Sequence, residues 1–295
     1  MTGLIDPHTS APEHGQGRLP GGIVSDDPRD ASAPAPLVTV KRDGSVARIQ
    51  LNRPHEHNML TVAMLKELAA AVERLHDDHT PYDAGQAGDA MAAPEGVRVI
   101  VLSGHGPSFC RGVDIAEMSR LAGAGDQRAV RAAVEAGRRV CQALSASPAI
   151  TIAQVHGKVI GAGVCLAAHC DLRISSDTAT FCLPELTIGV PALWGGAGPR
   201  LAMEVGISRL RELVLTGEVL DAATATGHGL VHRLAPAGRL PEETTTWARR
   251  LARRDPTAVR LTKTAFRAAE ATHRQGDITA TDADLFAYAL PAARP

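Results

Sequence analysis

Aromatic side chains are scarce: Phe, Tyr and Trp together make up 3% of the 295 residues. A core without them has to be built from small and aliphatic side chains packed closely. An excess of charge of either sign is also lacking, with 31 Lys and Arg against 32 Asp and Glu. Net charge therefore gives no electrostatic reason to expect a nucleic-acid or membrane partner. No stretch approaches the roughly 18 apolar residues of a membrane-spanning helix. The opening MTGLIDPHTS has no basic region followed by an apolar run, so no secretory signal is expected there. The five cysteines (Cys110, Cys141, Cys165, Cys170, Cys182) are odd in number and form no C-x-x-C pair. In a chain of this length they read as reduced thiols of a cytoplasmic protein.

Several familiar sites are missing too. Gly104-His-Gly106-Pro-Ser-Phe109 starts like a dinucleotide fingerprint, but its third glycine is Phe109 and no helix opens at once. There is no Walker A lysine pattern and no G-x-S-x-G elbow. Cys165, His169 and Cys170 form one short cluster without a second ligand pair, which argues against a structural zinc. No metal is expected.

What is present is an ordinary globular composition, 44% hydrophobic, in a length that fits one large domain or two small ones. Residues 1–36 are rich in Pro, Gly, Ala, Ser and Asp, and predict a disordered tail. From Leu37, apolar alternation on both sides of Asp43-Gly44 predicts a hairpin. Helical spacing covers residues 61–75, with Met64, Leu65, Leu68 and Val72 on one face. Residues 77–96 read as a surface loop. Buried strands are predicted at 97–102 and 150–155 around a helix at 129–144, with shorter strands at 172–175 and 179–183. After Gly196 helical patterns dominate, broken only by residues 231–234. Strands alternating with helices predict an α/β fold, its last third a helical subdomain.

Three segments could carry chemistry. In Ser108 to Met118 (SFCRGVDIAEM) the chain leaves a strand, turns at Gly112 and enters a helical pattern at Asp114. Backbone N–H groups at a helix start lack internal partners, so that of Val113 could bind an oxyanion. An ordinary capped helix start with Asp114 near the N-cap explains the same residues. In Gln154 to Ile174, Gly161-Ala162-Gly163 lies between a buried strand and an apolar helix. The Ala162 N–H is a second free donor, or the small residues simply serve close helix–sheet packing. In Phe181 to Leu201, Glu185 follows a proline in an apolar neighbourhood. Desolvation there would suit a carboxylate to proton transfer, and a solvated loop glutamate is the alternative.

Taken together, these segments resemble the enoyl-CoA hydratase/isomerase (crotonase) superfamily. The strings LNRPHEHNML, VIVLSGHGPSFCRGVDIAEM, GKVIGAGVCLAAHCDL, PELTIGVPALWGGAGPRL and VLTGEVLDAATATGHGLVHRL carry the likeness, from about Leu37 to about Ala280. The resemblance implies a crotonase-like spiral of repeated β-β-α units over residues 37–235, then a helical C-terminal region over 236–295 that serves oligomerisation. It implies an acyl-CoA thioester as substrate, held between the N–H groups of Val113 and Ala162. Val113, Asp114, Ile115 and Ala116 would line the ligand, and Glu185 would be the acid/base. No cofactor is implied beyond the CoA of the thioester itself. The implied partners are copies of the chain, as a homotrimer or a hexamer.

One departure bears on the reaction. Hydratases of the family use two glutamates; the second falls on Glu185 and the first on Cys165, which cannot do carboxylate work. Double-bond isomerases of the family manage with the glutamate at Glu185 alone. The family's dienoyl isomerases add an Asp eight residues later, where this chain has Leu193. The expectation is therefore isomerisation of an enoyl-CoA, with hydration or dehydration as the alternative and a non-catalytic acyl-CoA-binding assembly partner as a reading of another class. A thiol mechanism through Cys165 and His169, which share a helix face, is a further alternative. The chain also ends soon after Tyr288, which would shorten the C-terminal helix that the resemblance implies.

Overall fold

In the computed structural model of the chain, residues 35–77, 96–192 and 194–273 are described. The expected tail (but for its last two residues), nearly all of the 77–96 loop, Leu193 and the segment around Tyr288 lie outside the described residues. The expected hairpin is β1 (Val38–Asp43) and β2 (Val46–Leu51), antiparallel, with Asp43 paired to Val46 across Gly44-Ser45. The helix α1 (Val62–Asp77) follows, then β3 (Val99–Gly104), α2 (Ile115–Gly123), α3 (Gln127–Ala146) and β4 (Ile150–Val155). Next come β5 (Lys158–Ile160), α4 (Ala162–Ala168), β6 (Leu172–Ser176) and β7 (Thr180–Cys182). The remainder is α5 (Ala197–Val205), α6 (Ile207–Thr216), β8 (Leu220–Asp221), α7 (Ala222–Gly227), β9 (Arg233–Ala235), α8 (Leu240–Leu251) and α9 (Pro256–His273). The short strands β5 and β8 were not expected: three and two residues are too few to show a period of two.

A six-stranded sheet runs in the order β1-β2-β3-β4-β6-β9, parallel from β2 onward. Its inner strands read as unbroken apolar runs because both faces are covered. Along β3 the side chains alternate between two cores. Ile100 and Leu102 join Met64, Leu65, Leu68 and Val72 of α1 and Val140 and Leu144 of α3. Val99 and Val101 join Ile152, Ile174 and, from α8, Leu240, Trp247 and Ala248. Helix α8 thus covers the sheet face opposite α1.

A second sheet, β5-β7-β8, positions the site. Strands β5 and β7 are parallel, with Ile160 opposite Cys182. In parallel strands both C-terminal ends point the same way, which is where ligands gather in α/β sheets. Here those ends release Gly161-Ala162 from one strand and Leu183-Pro184-Glu185 from the other. At the far end of α4, the buried Arg173 guanidinium donates to Ala168 O and Cys170 O and pairs with Glu204. A cation on the last carbonyls of a helix satisfies orphan acceptors and complements the helix dipole.

The first loop is held by Asn58. Its side chain is fully buried, and its φ of 56° lies in the left-handed region that Asn tolerates better than most residues. Oδ1 accepts from Arg53 N at 2.9 Å, and Nδ2 donates to His105 O, Ser108 O and Phe109 O at 2.9, 2.8 and 3.2 Å. One amide thus ties residues 53–58 to the loop that follows β3. Replacing it leaves several buried backbone groups unpaired, at about 1–3 kcal/mol each. Asn58→Ala is expected to lower unfolding stability by about 2–5 kcal/mol, read from urea denaturation midpoints at constant m-value; a loss under about 0.5 kcal/mol, the range of neutral surface changes, would show that the amide is not what holds this loop.

Candidate active site

Leu60 grips the chain on both sides of Val113: its N–H donates to Gly112 O at 2.8 Å, and its carbonyl accepts from Asp114 N at 3.0 Å. In such a parallel bridge the residue between the two contacts turns its own N–H to the opposite side. Among the described residues the Val113 N–H meets no acceptor. Gly112 makes the turn with φ of 91°, and a β-carbon there would stand 3.0 Å from Ile160 O and 3.6 Å from Ala162 N. A side chain would push apart the two segments that carry the donors.

Ala162 is the first residue of α4, and its N–H likewise has no acceptor among the described residues. Gly161 precedes it with φ of 52° and donates to Cys182 O at 2.9 Å. A β-carbon on Gly161 would lie 3.1 Å from Glu185 Oε1. The carboxylate therefore rests directly over the backbone that leads into the Ala162 donor.

Glu185 opens a 3-10 turn, Glu185–Ile188, after Pro184. It is 8% exposed, and neither carboxylate oxygen has a hydrogen-bond partner among the described residues. Burial pushes its carboxyl up from 4.5 to about 7. A carboxyl titrating there can both take and return a proton near neutral pH. The expectation of an apolar neighbourhood for Glu185 is met.

A cavity of about 70 Å³ joins these groups. Val113, Ile115, Ala162 and Glu185 of the expected residues line it, with Ile188, Val190, Pro191 and Trp194 forming an apolar wall. Asp114 does not line it. Its carboxylate caps α2 by accepting from Glu117 N at 3.0 Å and pairs with Arg53 at 2.8 Å. Burial alone would raise the Asp114 carboxyl, but the Glu117 N–H and Arg53 outweigh it and hold it below the ordinary carboxylate range. Ala116 is exposed on α2 and does not line the cavity. The apolar wall was missed in the sequence. Its signal was the run LTIGVPALW after Glu185, which holds one of only two tryptophans in the chain.

Cys165 is fully buried on α4, close enough to Glu185 for the carboxylate charge to act on it, yet absent from the cavity lining. Burial, followed by that charge, pushes its thiol well above the ordinary range. Cys110, Cys141 and Cys170 are equally buried, and burial pushes each thiol well above its ordinary range. The His169 Nδ1 lies 2.8 Å from the Cys165 backbone oxygen. A thiol held neutral by burial is a poor nucleophile. A larger cavity, about 550 Å³, lies under α9, but its Asp171, Glu204 and Glu270 are held in ion pairs with Lys263 and Arg200.

The family model described as enoyl-CoA hydratase/isomerase matches residues 41–293. The chain belongs to the enoyl-CoA hydratase/isomerase family. It is 34% identical over 240 residues to the protein named "Probable enoyl-CoA hydratase echA8" of Mycobacterium bovis, covering 81% of this chain and 84% of that one. Among solved structures, an enoyl-CoA hydratase from Mycobacterium avium subsp. paratuberculosis K-10 superimposes with a TM-score of 0.72 at 28% identity, covering 88% and 95% of the two chains. A monofunctional enoyl CoA isomerase from M. smegmatis matches with a TM-score of 0.63 at 27% identity, covering 81% and 98%. The fold is the crotonase α/β fold expected from the sequence, and the protein is an enzyme of this family.

An unpartnered buried carboxylate makes stability depend on pH. The raised Glu185 carboxyl is neutral in the folded protein up to about pH 7, whereas in the unfolded chain it ionises near 4.5. Its contribution is thus fully present below pH 4.5 and is lost as pH rises through about 7, amounting to about 3 kcal/mol. Glu185→Gln removes this dependence. Denaturation of both proteins across pH 4–8 should show the variant gaining on the wild type as pH rises; a constant gap would mean the carboxylate is solvated in the folded state.

Proposed function

We propose that the enzyme shifts the double bond of an enoyl-CoA, with Glu185 moving the proton and the Val113 and Ala162 N–H groups holding the thioester oxygen. The observation that carries this reading is the unpartnered Glu185 carboxylate against the apolar wall of the cavity, with Cys165 buried where hydratases of the family keep their other glutamate. In the proposed sequence, ionised Glu185 removes a proton from C2 of a 3-enoyl thioester. The C2–H electron pair moves into a dienolate whose oxygen lies between the two N–H donors. Glu185, now protonated, returns the proton to C4, and the double bond stands between C2 and C3. Atoms balance without water, and nothing is oxidised, so no group beyond the substrate's own CoA is needed. Preorganised donors cost nothing to reorient as charge develops, and each is worth about 10²–10³ in rate.

Hydration is the second reading, favoured by the names of relatives such as the M. bovis protein. It requires a water to be held and activated, and a buried neutral thiol does neither as a carboxylate would. The ligand contacts of Val113, Ile115 and Ala162, the assembly into trimers or paired trimers, and a cytoplasmic location belong to the same proposal. Exposed Ile207, Leu215, Val219 and Phe266, all 60–66% exposed, favour assembly. No helix among the described residues is long and apolar enough to cross a membrane.

A panel of 2-enoyl- and 3-enoyl-CoA thioesters, followed by mass spectrometry in deuterated water, separates the readings. Deuterium incorporation with a moved double bond supports isomerisation; addition of water to crotonyl-CoA at ~10 s⁻¹ or faster, an ordinary enzymatic rate, would sink it in favour of hydration. Glu185→Gln should lower turnover ~10²–10⁴-fold while acyl-CoA still binds. The wild-type kcat/KM should fall as pH drops below about 7, where Glu185 becomes protonated.

A further inference from the structure

The cavity beside Glu185 is small. Its volume of about 70 Å³ is well below the ~300–1,000 Å³ of sites that enclose drug-sized ligands. One lining residue, Arg111, is exposed, whereas Trp194 is 6% exposed. A CoA thioester has to leave its polar, charged portion in water, so the acyl group points away from Arg111 and toward Trp194.

The indole of Trp194 is fixed from behind by α3. A β-carbon on Gly137 would come 1.9 Å from Trp194 Cζ2 and 2.4 Å from Cε2, so the ring lies flush against the bare backbone of Gly137. Gly195, next in the chain, sits against α3 as well: a β-carbon there would meet Cys141 Sγ at 2.8 Å. The ring can neither retreat into α3 nor be matched in area by most other side chains.

From this arrangement we infer that Trp194 is the specificity-determining residue of the site: it closes the acyl end of the cavity and restricts the enzyme to short acyl thioesters. The inference rests on the enoyl-CoA reading of the site and adds the size of the acyl group. A fixed wall discriminates steeply, because each extra methylene has to displace packed atoms; one methylene too many in a filled hydrophobic pocket changes selectivity by about 10–200-fold. Gly137 acts through the ring as a positioning residue.

Calorimetric binding of butyryl-, hexanoyl-, octanoyl- and decanoyl-CoA to the full chain tests the size rule without requiring turnover. Wild type is expected to bind decanoyl-CoA at least ~10-fold more weakly than butyryl-CoA. Trp194→Ala should bring the two affinities together. Trp194→Phe, which keeps a ring against Gly137, should give an intermediate ratio and serves if the Ala variant does not fold. Gly137→Ala should drive the indole into the cavity and weaken butyryl-CoA too. Equal or tighter binding of decanoyl-CoA by wild type, or an unchanged ratio in the Trp194 variants, overturns the inference. The expected binding ratio without turnover of any enoyl-CoA would support the size rule while sinking the proposed reaction; failure to bind any acyl-CoA would sink both.

Discussion

A buried carboxylate with no hydrogen-bond partner among the described residues is the constraint around which this molecule is arranged. Burial of an unpaired charge is unfavourable by several kcal/mol, and proteins ordinarily neutralise or pair such a group. Here the neutral acid is tolerated, and Glu185 stays poised between its two forms. That state persists only if the surroundings do not relax around it. Gly161 beneath the carboxylate, the Ile160–Cys182 pairing beside it and the turn closed by Val190 N on Glu185 O leave it little room to swing toward solvent.

The same surroundings leave the Val113 and Ala162 donors without acceptors among the described residues. An unsatisfied N–H is as unwelcome as an unpaired acid, and both sit in one cavity. Asn58 and Leu60 on one side and the β5–β7 pairing on the other supply the rigidity that holds these groups apart. Arg173 steadies the opposite end of the helix that Ala162 begins. The functional groups are few, and much of the structure around them serves to prevent their satisfaction.

Much of this was legible in the chain. The hairpin, α1, β4 and the strand–helix alternation followed from apolar periodicity, since their faces pack on one side or two. β3 begins two residues later than its apolar run, because Val97 and Arg98 belong to the approach. Glu185, Val113 and Ala162 could be singled out by residue type and by the family likeness, though periodicity alone left each open to a plain structural reading. What the sequence could not show was direction. Asp114 and Ile115 are neighbours, yet Asp114 turns to Arg53 while Ile115 meets the cavity. Cys165 is buried in the core on α4, yet close enough to Glu185 for the carboxylate charge to act on its thiol. Trp194 gave no period to read, and its role depends on a glycine 57 positions earlier in the chain, Gly137.

The buried cysteines have a consequence for how the protein can be observed. A thiol reacts as its thiolate and only where a reagent can reach it, so Cys110, Cys141, Cys165 and Cys170 are silent while the fold is closed. Cys110 and Cys165 lie in the two segments that supply the backbone donors, and Cys141 lies behind the tryptophan wall. Alkylation kinetics at these three positions therefore report native-state opening of the donor segments and of the wall separately, so the chain carries its own probes of local breathing at the site without any added label.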